Sequence, residues 1–281
     1  MNKTIRYILY VLVIAICIIA IFVGVYALEF KISDGNSNIT NGTSANNTLK
    51  ESEASQTLTE FESLFTNEFF GSNVETSNIE KIDDSKEIVY DAISLKDSKD
   101  SYYSVDIHIP MININTELAQ NYNNITQQLF VDKVNEIMQN TNRNKYTVCN
   151  IKFTSYVNNN ILSIAILETI KEGTNSQRKC VQTYNYNLET NEEVKINQIL
   201  EIRGLDTTSV NKKINSEISE LIDQQEAMSS SGYEVYQRDI KNEMYDIKNV
   251  QVFIQGPNGE LYIIYAYGNS SNTSELDVIK I

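Results

Sequence analysis

One histidine (His108), three cysteines (Cys17, Cys149 and Cys180) and 37 acidic side chains are the groups in this 281-residue chain that could move protons, do thiol chemistry or ligate a metal. Each class is thin. A hydrolytic metal centre draws on several His, Asp or Cys ligands, and one histidine does not supply them. A serine triad would leave His108 to work alone, and no nucleophile-elbow spacing occurs. Two carboxylates about 5 to 9.5 Å apart, as used in glycoside hydrolysis, are the catalytic chemistry this composition still allows; the competing explanation is a solvated acidic surface. The expectation is therefore no catalytic residue, no metal ligand and no cofactor. Ligand-binding residues are left unassigned.

The cysteines are read through the strands that carry them. If three successive strands pair about Asn159 and about a turn at Thr174 and Asn175, Cys149 and Cys180 both lie opposite Thr169. Two strand spacings then separate them, about 9.5 Å, beyond the ~7 Å that a disulfide tolerates between Cα atoms. Free thiols are expected. Cys17 lies in an apolar run behind Ile16, which is not the small residue a lipoprotein site wants, and is read as lipid-facing.

The elements that would position these groups follow from periodicity. Leu58, Phe61, Leu64, Phe65 and Phe69 recur at helical spacing over 57–70, and the stripe predicts a short amphipathic helix packed on the main domain. A membrane-surface helix would want Lys and Arg where this one has Glu60, Glu62 and Glu68. Residues 102–109 read as a strand ending at Pro110, with Tyr103, Val105, Ile107 and Ile109 on one face and Asp106 and His108 on the other. Leu118, Tyr122, Ile125, Leu129, Val134, Ile137 and Met138 then predict a helix over 116–140, capped by Asn115 or Thr116. Strands follow at 146–157, 161–170 and 179–188 as an antiparallel meander. Its first turn is Asn158-Asn159-Asn160, and Asn191 takes a left-handed position in the turn after the third strand. A short strand is expected from Val194 to Ile196. Val210, Ile214, Ile218, Leu221 and Ile222 mark a second long helix, and Val235, Ile240, Met244 and Ile247 predict a third over 233–247. A hairpin of 250–254 and 261–267 about Pro257-Asn258-Gly259, with a final strand at 276–281, closes the chain.

Before all of this stands an address signal. Residues 7–28 hold no charged side chain, and 22 residues at helical rise give about 33 Å, enough to cross a ~30 Å hydrocarbon core. Lys3 and Arg6 precede the run and Glu29 follows it, which places the N-terminus in the cytoplasm and the rest outside. A cleaved signal ending at Val25-Tyr26-Ala27 is the rival, but the apolar core exceeds the ~7 to 15 residues of a typical signal h-region. The expected organisation is a cytoplasmic tail (1–6), a transmembrane anchor (7–28), a Ser/Asn/Thr-rich tether (29–57), an amphipathic helix with connector (58–85) and an extracytoplasmic domain (86–281). With Lys3, Arg6 and Glu29 set aside, the remainder holds 21 basic and 36 acidic residues, a net of −15. That sign is the opposite of what a phosphate backbone requires, so no nucleic acid is expected as a partner.

The order of elements and several strings resemble the RsiV-like extracytoplasmic domain family, a module also found beside the catalytic domain of PdaC-type peptidoglycan deacetylases. The strings are Ile109-Pro110-Met111-Ile112; Ile161-Leu162-Ser163-Ile164; Tyr184-Asn185-Tyr186-Asn187-Leu188-Glu189-Thr190-Asn191-Glu192 with Val194 and Ile199-Leu200 behind it; and Asn258-Gly259-Glu260-Leu261-Tyr262-Ile263-Ile264-Tyr265. They span about 86–281 and are turns and strand edges. The chain departs from the family in the loop 171–177, which holds one glycine, Gly173, and no histidine. The resemblance implies an α+β fold, a place in the bacterial cell envelope, and a sensing or binding role toward a lysozyme-like basic protein or a cell-wall glycan. An acidic ectodomain would favour a basic ligand. One histidine does not supply the metal ligands of a deacetylase half, so none is expected, and the expected six-residue cytoplasmic tail would be too short to hold a sigma factor.

The combined expectation is an α+β fold, an antiparallel sheet with amphipathic helices packed on it, preceded by one transmembrane helix. Functionally it is a membrane-anchored, non-catalytic binding or envelope-sensing domain. A cell-wall enzyme using paired carboxylates and a structural envelope protein are the competing classes.

Overall fold

A computed structural model describes residues 53–65, 79–140, 142–143, 145–230, 232, 236–268 and 274–281. The expected tail at 1–6, the anchor at 7–28, most of the tether, and residues 66–78 of the amphipathic helix and connector expected at 58–85, Phe69 among them, lie outside the described residues. From Leu49 to Ile281 the chain forms one compact unit.

Two sheets build that unit. The larger has the order β1 (Val89–Lys99), β2 (Tyr103–Ile112), β3 (Thr147–Asn158), β4 (Ile161–Glu172) and β5 (Arg178–Asn187). The smaller has the order β6 (Phe253–Gln255), β7 (Leu261–Gly268) and β8 (Ser274–Lys280). The five-stranded sheet is mixed, which corrects the antiparallel expectation: β2 runs parallel to β3, pairing Tyr103 with Thr147 through Ile107 with Ile151. The cause is the helical crossover between them, because a strand, a helix and a returning strand bring the chain back in the same direction. The meander of β3, β4 and β5 is antiparallel as expected. Asn159 and Asn160 take φ of 50° and 59° in its first turn, and Asn191 takes 59°.

The crossover is α2 (Glu117–Thr126), a π turn at Gln127–Val131, and α3 (Asp132–Met138). Thr116 caps it, its Oγ1 accepting from the Ala119 N–H at 3.3 Å. The inward stripe is Tyr122, Thr126, Phe130, Val134 and Ile137. Leu129, expected inward, is 45% exposed and Phe130 is buried in its place. A run of fours drifts around an α-helix of 3.6 residues per turn, and the wider π turn absorbs the drift.

β4 is buried on both faces from Ile161 to Ile166. One face, with the odd-numbered residues Cys149 to Phe153 of β3, packs under α2 and α3. The other meets the three-stranded sheet through Ala165, Val181, Ile254 and Ile264. The far face of that sheet packs against α4 (Ile196–Ile202) and α5 (Thr207–Ser230) through Phe253, Ile263, Ile199, Ile214 and Ile218. The layers run helix, sheet, sheet, helix, so the near-continuous apolar run of β4 is that of a strand covered on both sides.

Three further expectations change. A helix, α4, starts at Ile196 where a strand was expected, with Gln198 Oε1 accepting from the Lys195 N–H at 2.7 Å. Of the helix expected at 233–247, the described residues from 236 on form no α-helix and instead carry 3₁₀ turns at Glu243–Tyr245 and Ile247–Asn249. There Asn242 and Asp246 bond the Met244 and Lys248 N–H groups locally, and such side-chain bonds compete with a helical ladder. Upstream, Arg238 draws the chain onto β8: its Nε and Nη2 reach Asp277 at 2.7 and 2.8 Å, and Nη2 also reaches Glu275 at 2.9 Å. Finally, α1 (Glu53–Ser63) begins before the expected start at Thr57, while Leu58, Phe61, Leu64 and Phe65 face the sheets as the stripe predicts.

Candidate functional site

β1 supplies what the sequence reading of His108 lacked. It is an edge strand antiparallel to β2, with Ala92 bulged between Asp91 and Ile93. Pro110, opposite Asp91, lies beyond the β2 residues that pair with β3, so its missing N–H leaves no ladder bond unmade on that side. The bulge returns Asp91 to the solvent face of the sheet, beside His108. His108 Nδ1 lies 2.6 Å from Asp91 Oδ2, and Nε2 lies 3.8 Å from Asp106 Oδ1. Lys96 closes the group on Asp106 at 3.1 Å. Ser94 Oγ stands 3.5 Å from the same Nδ1 that faces Asp91.

That geometry decides the chemistry. A serine triad needs the carboxylate on one imidazole nitrogen and the hydroxyl on the other. Here both share Nδ1, and Nε2 stands 3.8 Å from the Asp106 carboxylate, beyond hydrogen-bond distance. The arrangement makes a cross-strand clasp fastening the edge strand β1 to β2. Among the described residues no group of three or more His, Cys, Asp or Glu side chains is placed to hold a metal ion.

A second cluster lies on the opposite, helix-covered face. Cys149 pairs with Ile170, and Cys180 with Glu168. The register thus places each cysteine one residue away from the expected position opposite Thr169, and β4 lies between them. Both thiols are free. Cys149 Sγ donates to Glu168 Oε1 at 3.7 Å. Burial pushes the Cys149 thiol well above the usual range, and the Glu168 charge adds to it; a thiol held protonated is a poor nucleophile. Burial also raises Glu168, with the Cys149 bond and Lys133 opposing it.

The strings that carried the family resemblance prove to be joints. Asn187 Oδ1 accepts from the Glu189 and Thr190 N–H groups at 2.8 and 3.1 Å and forms the turn; the Tyr186 hydroxyl donates to Asn191 Oδ1 at 2.7 Å. Buried Asn185 accepts from Ser163 Oγ at 2.7 Å and donates to the Phe253 carbonyl at 3.0 Å, tying one sheet to the other. Gly256 approaches Tyr262 so closely that an added Cβ would meet the ring at 2.8 Å.

No family model matches the chain, and no curated protein matches it. Among solved structures, it is similar to the crystal structure of a member of the DUF3298 family from Bacteroides fragilis. The TM-score is 0.27 at 13% identity, over 64% of this chain and 80% of that one.

Proposed function

We propose that the chain is a membrane-anchored, extracytoplasmic, non-catalytic binding or sensing module of the RsiV-like kind. The observation that carries the reading is the uncharged run at residues 7–28, with Lys3 and Arg6 on one side and an acidic folded unit on the other. The placement of the Asp91 carboxylate and the Ser94 hydroxyl on the same His108 nitrogen, Nδ1, supports the non-catalytic part, because it leaves the serine-triad arrangement unmade. The acidity of the folded unit supports a basic protein as ligand, a lysozyme-like one above all, with a cell-wall glycan as the alternative.

Topology is tested with Cys180, the exposed thiol of the described residues. A membrane-impermeant maleimide applied to intact cells expressing the full chain labels Cys180, and Cys180→Ser abolishes the label. Labelling only after permeabilisation would place the domain inside and sink the reading. Ligand class is tested by calorimetric titration of the detergent-solubilised chain with lysozyme at low and physiological salt. Saturable heat at both is expected; its loss at physiological salt would reduce the encounter to screened charge attraction.

A further inference from the structure

We propose that α1 is a detachable strap, a helix that leaves its seat as a unit while both sheets stay folded. An isolated helix of 11 residues is marginal in water, so α1 owes its helicity to docking. It docks on both sheets and also lies beside α5. Phe61 of α1 and Phe65 in the turn that follows it are buried to 0% and 4% exposure, packed edge to face with ring centroids 5.1 Å apart. Their seat is Ala165 and Val181 of the large sheet and Ile254, Tyr262, Ile264 and Val278 of the small one.

On the helix edge, one carboxylate reaches each sheet. Glu62 pairs with Lys179 of β5, and Glu60 with Lys280 of β8. Glu60 also accepts from the Tyr262 hydroxyl at 3.0 Å. All four charged side chains are partly exposed, which makes these latches weak and screenable.

What lets α1 leave alone is the placement of the cores. The large sheet keeps its own core under α2 and α3, and the small sheet keeps its own under α4 and α5. The sheets are also joined without α1. Asn185 bonds the Phe253 carbonyl, and Asn158 Nδ2 donates to the Gly256 carbonyl at 2.9 Å. Undocking therefore exposes one apolar seat flanked by Lys179 and Lys280 and breaks neither remaining core. The vacated seat accepts a segment with aromatic rings four residues apart and carboxylates beside the first, which is the chemistry of α1 and the turn that ends it. Detachment stands on these contacts alone. Its use as a joint that yields to tension from the N-terminal side rests on the proposed anchoring.

The test is hydrogen exchange by mass spectrometry on the full chain in detergent micelles. Amides of α1 are expected to exchange at least about ten-fold faster than those of β4, yet slower than an unstructured peptide, by sub-global opening. Glu60→Gln with Glu62→Gln is expected to speed α1 exchange roughly two- to ten-fold with β4 unchanged. Phe61→Ala is expected to bring α1 close to the unprotected rate. Exchange of α1 at the β4 rate, a rise of both together in the Gln variant, or an α1 without any protection would each overturn the proposal. None of these outcomes depends on Cys180 labelling, so a failed strap and a failed topology are told apart.

Discussion

At the scale of single residues, the informative groups are the buried ionisable ones, and Glu168 is the sharpest. Burial raises its carboxyl above the ordinary 4.5, so the folded chain holds a proton that the unfolded chain has released. Its contribution to stability is complete below about pH 4.5 and is lost as pH rises through the raised value. Glu168→Gln keeps an acceptor for the Cys149 thiol and removes the ionisation. Denaturant unfolding at pH 4 and pH 8 is expected to show the variant more stable than the parent at pH 8 and no more stable at pH 4. Equal differences at both pH values would show that Glu168 is not held protonated. His108 teaches a different lesson at this scale: its place on the polar face of β2 was legible from alternation, but its partner was not. Asp91 belongs to a segment, Val-Tyr-Asp-Ala-Ile-Ser-Leu-Lys-Asp-Ser-Lys, whose period is broken by the bulge at Ala92 and diluted by charges, so pattern alone did not disclose a strand there.

At the scale of elements, polar side chains decide where the apolar pattern misleads. Val235, Ile240, Met244 and Ile247 keep helical spacing, yet the chain around Arg238 follows β8 because the guanidinium finds Asp277, Glu275 and the Tyr267 ring there. Arg238 and Asp277 are both nearly buried, with side chains 7% and 4% exposed. Burial works against the Arg238 charge, and Asp277 and Glu275 outweigh it. Removing one partner strands the other, so Arg238→Ala is expected to cost about 3 to 5 kcal/mol. Arg238→Ala with Asp277→Ala should cost less than the two single changes taken together, a coupling that a double-mutant cycle reads directly. Additive losses would make Arg238 a packing residue only. The π turn is the same kind of case, since the register of Phe130 and Val134 under the sheet requires it.

At the scale of the whole molecule, two sheets packed face to face, each with its own helical layer, make the inter-sheet joint the point that unites them. Asn185 sits in it, accepting from Ser163 of the large sheet and donating to the Phe253 carbonyl of the small one. Asn185→Ala leaves the Ser163 hydroxyl and the Phe253 carbonyl buried without that partner and is expected to cost about 1 to 3 kcal/mol. The loss should appear as one cooperative transition if the layers unfold together. Separation of tyrosine fluorescence and far-ultraviolet dichroism into two transitions would mean that the layers unfold independently.

The sequence by itself determined the strands of the meander, the left-handed asparagines in its turns, the inward faces of β2 and α5, the closing hairpin and the aromatic stripe of α1. Each is a local property, set by a period of two or 3.6 residues or by a backbone angle that Asn tolerates and most residues do not. It also held the uncharged run at 7–28, on which the proposed anchoring rests. Only the tertiary structure decided that β2 lies parallel to β3, that three strands form a separate sheet stacked on the first, that Asp91 meets His108, and that the segment around Arg238 is held to β8 and not wound into a helix. Those outcomes depend on which distant segments share a face, and periodicity along one segment says which residues turn inward but not what they meet.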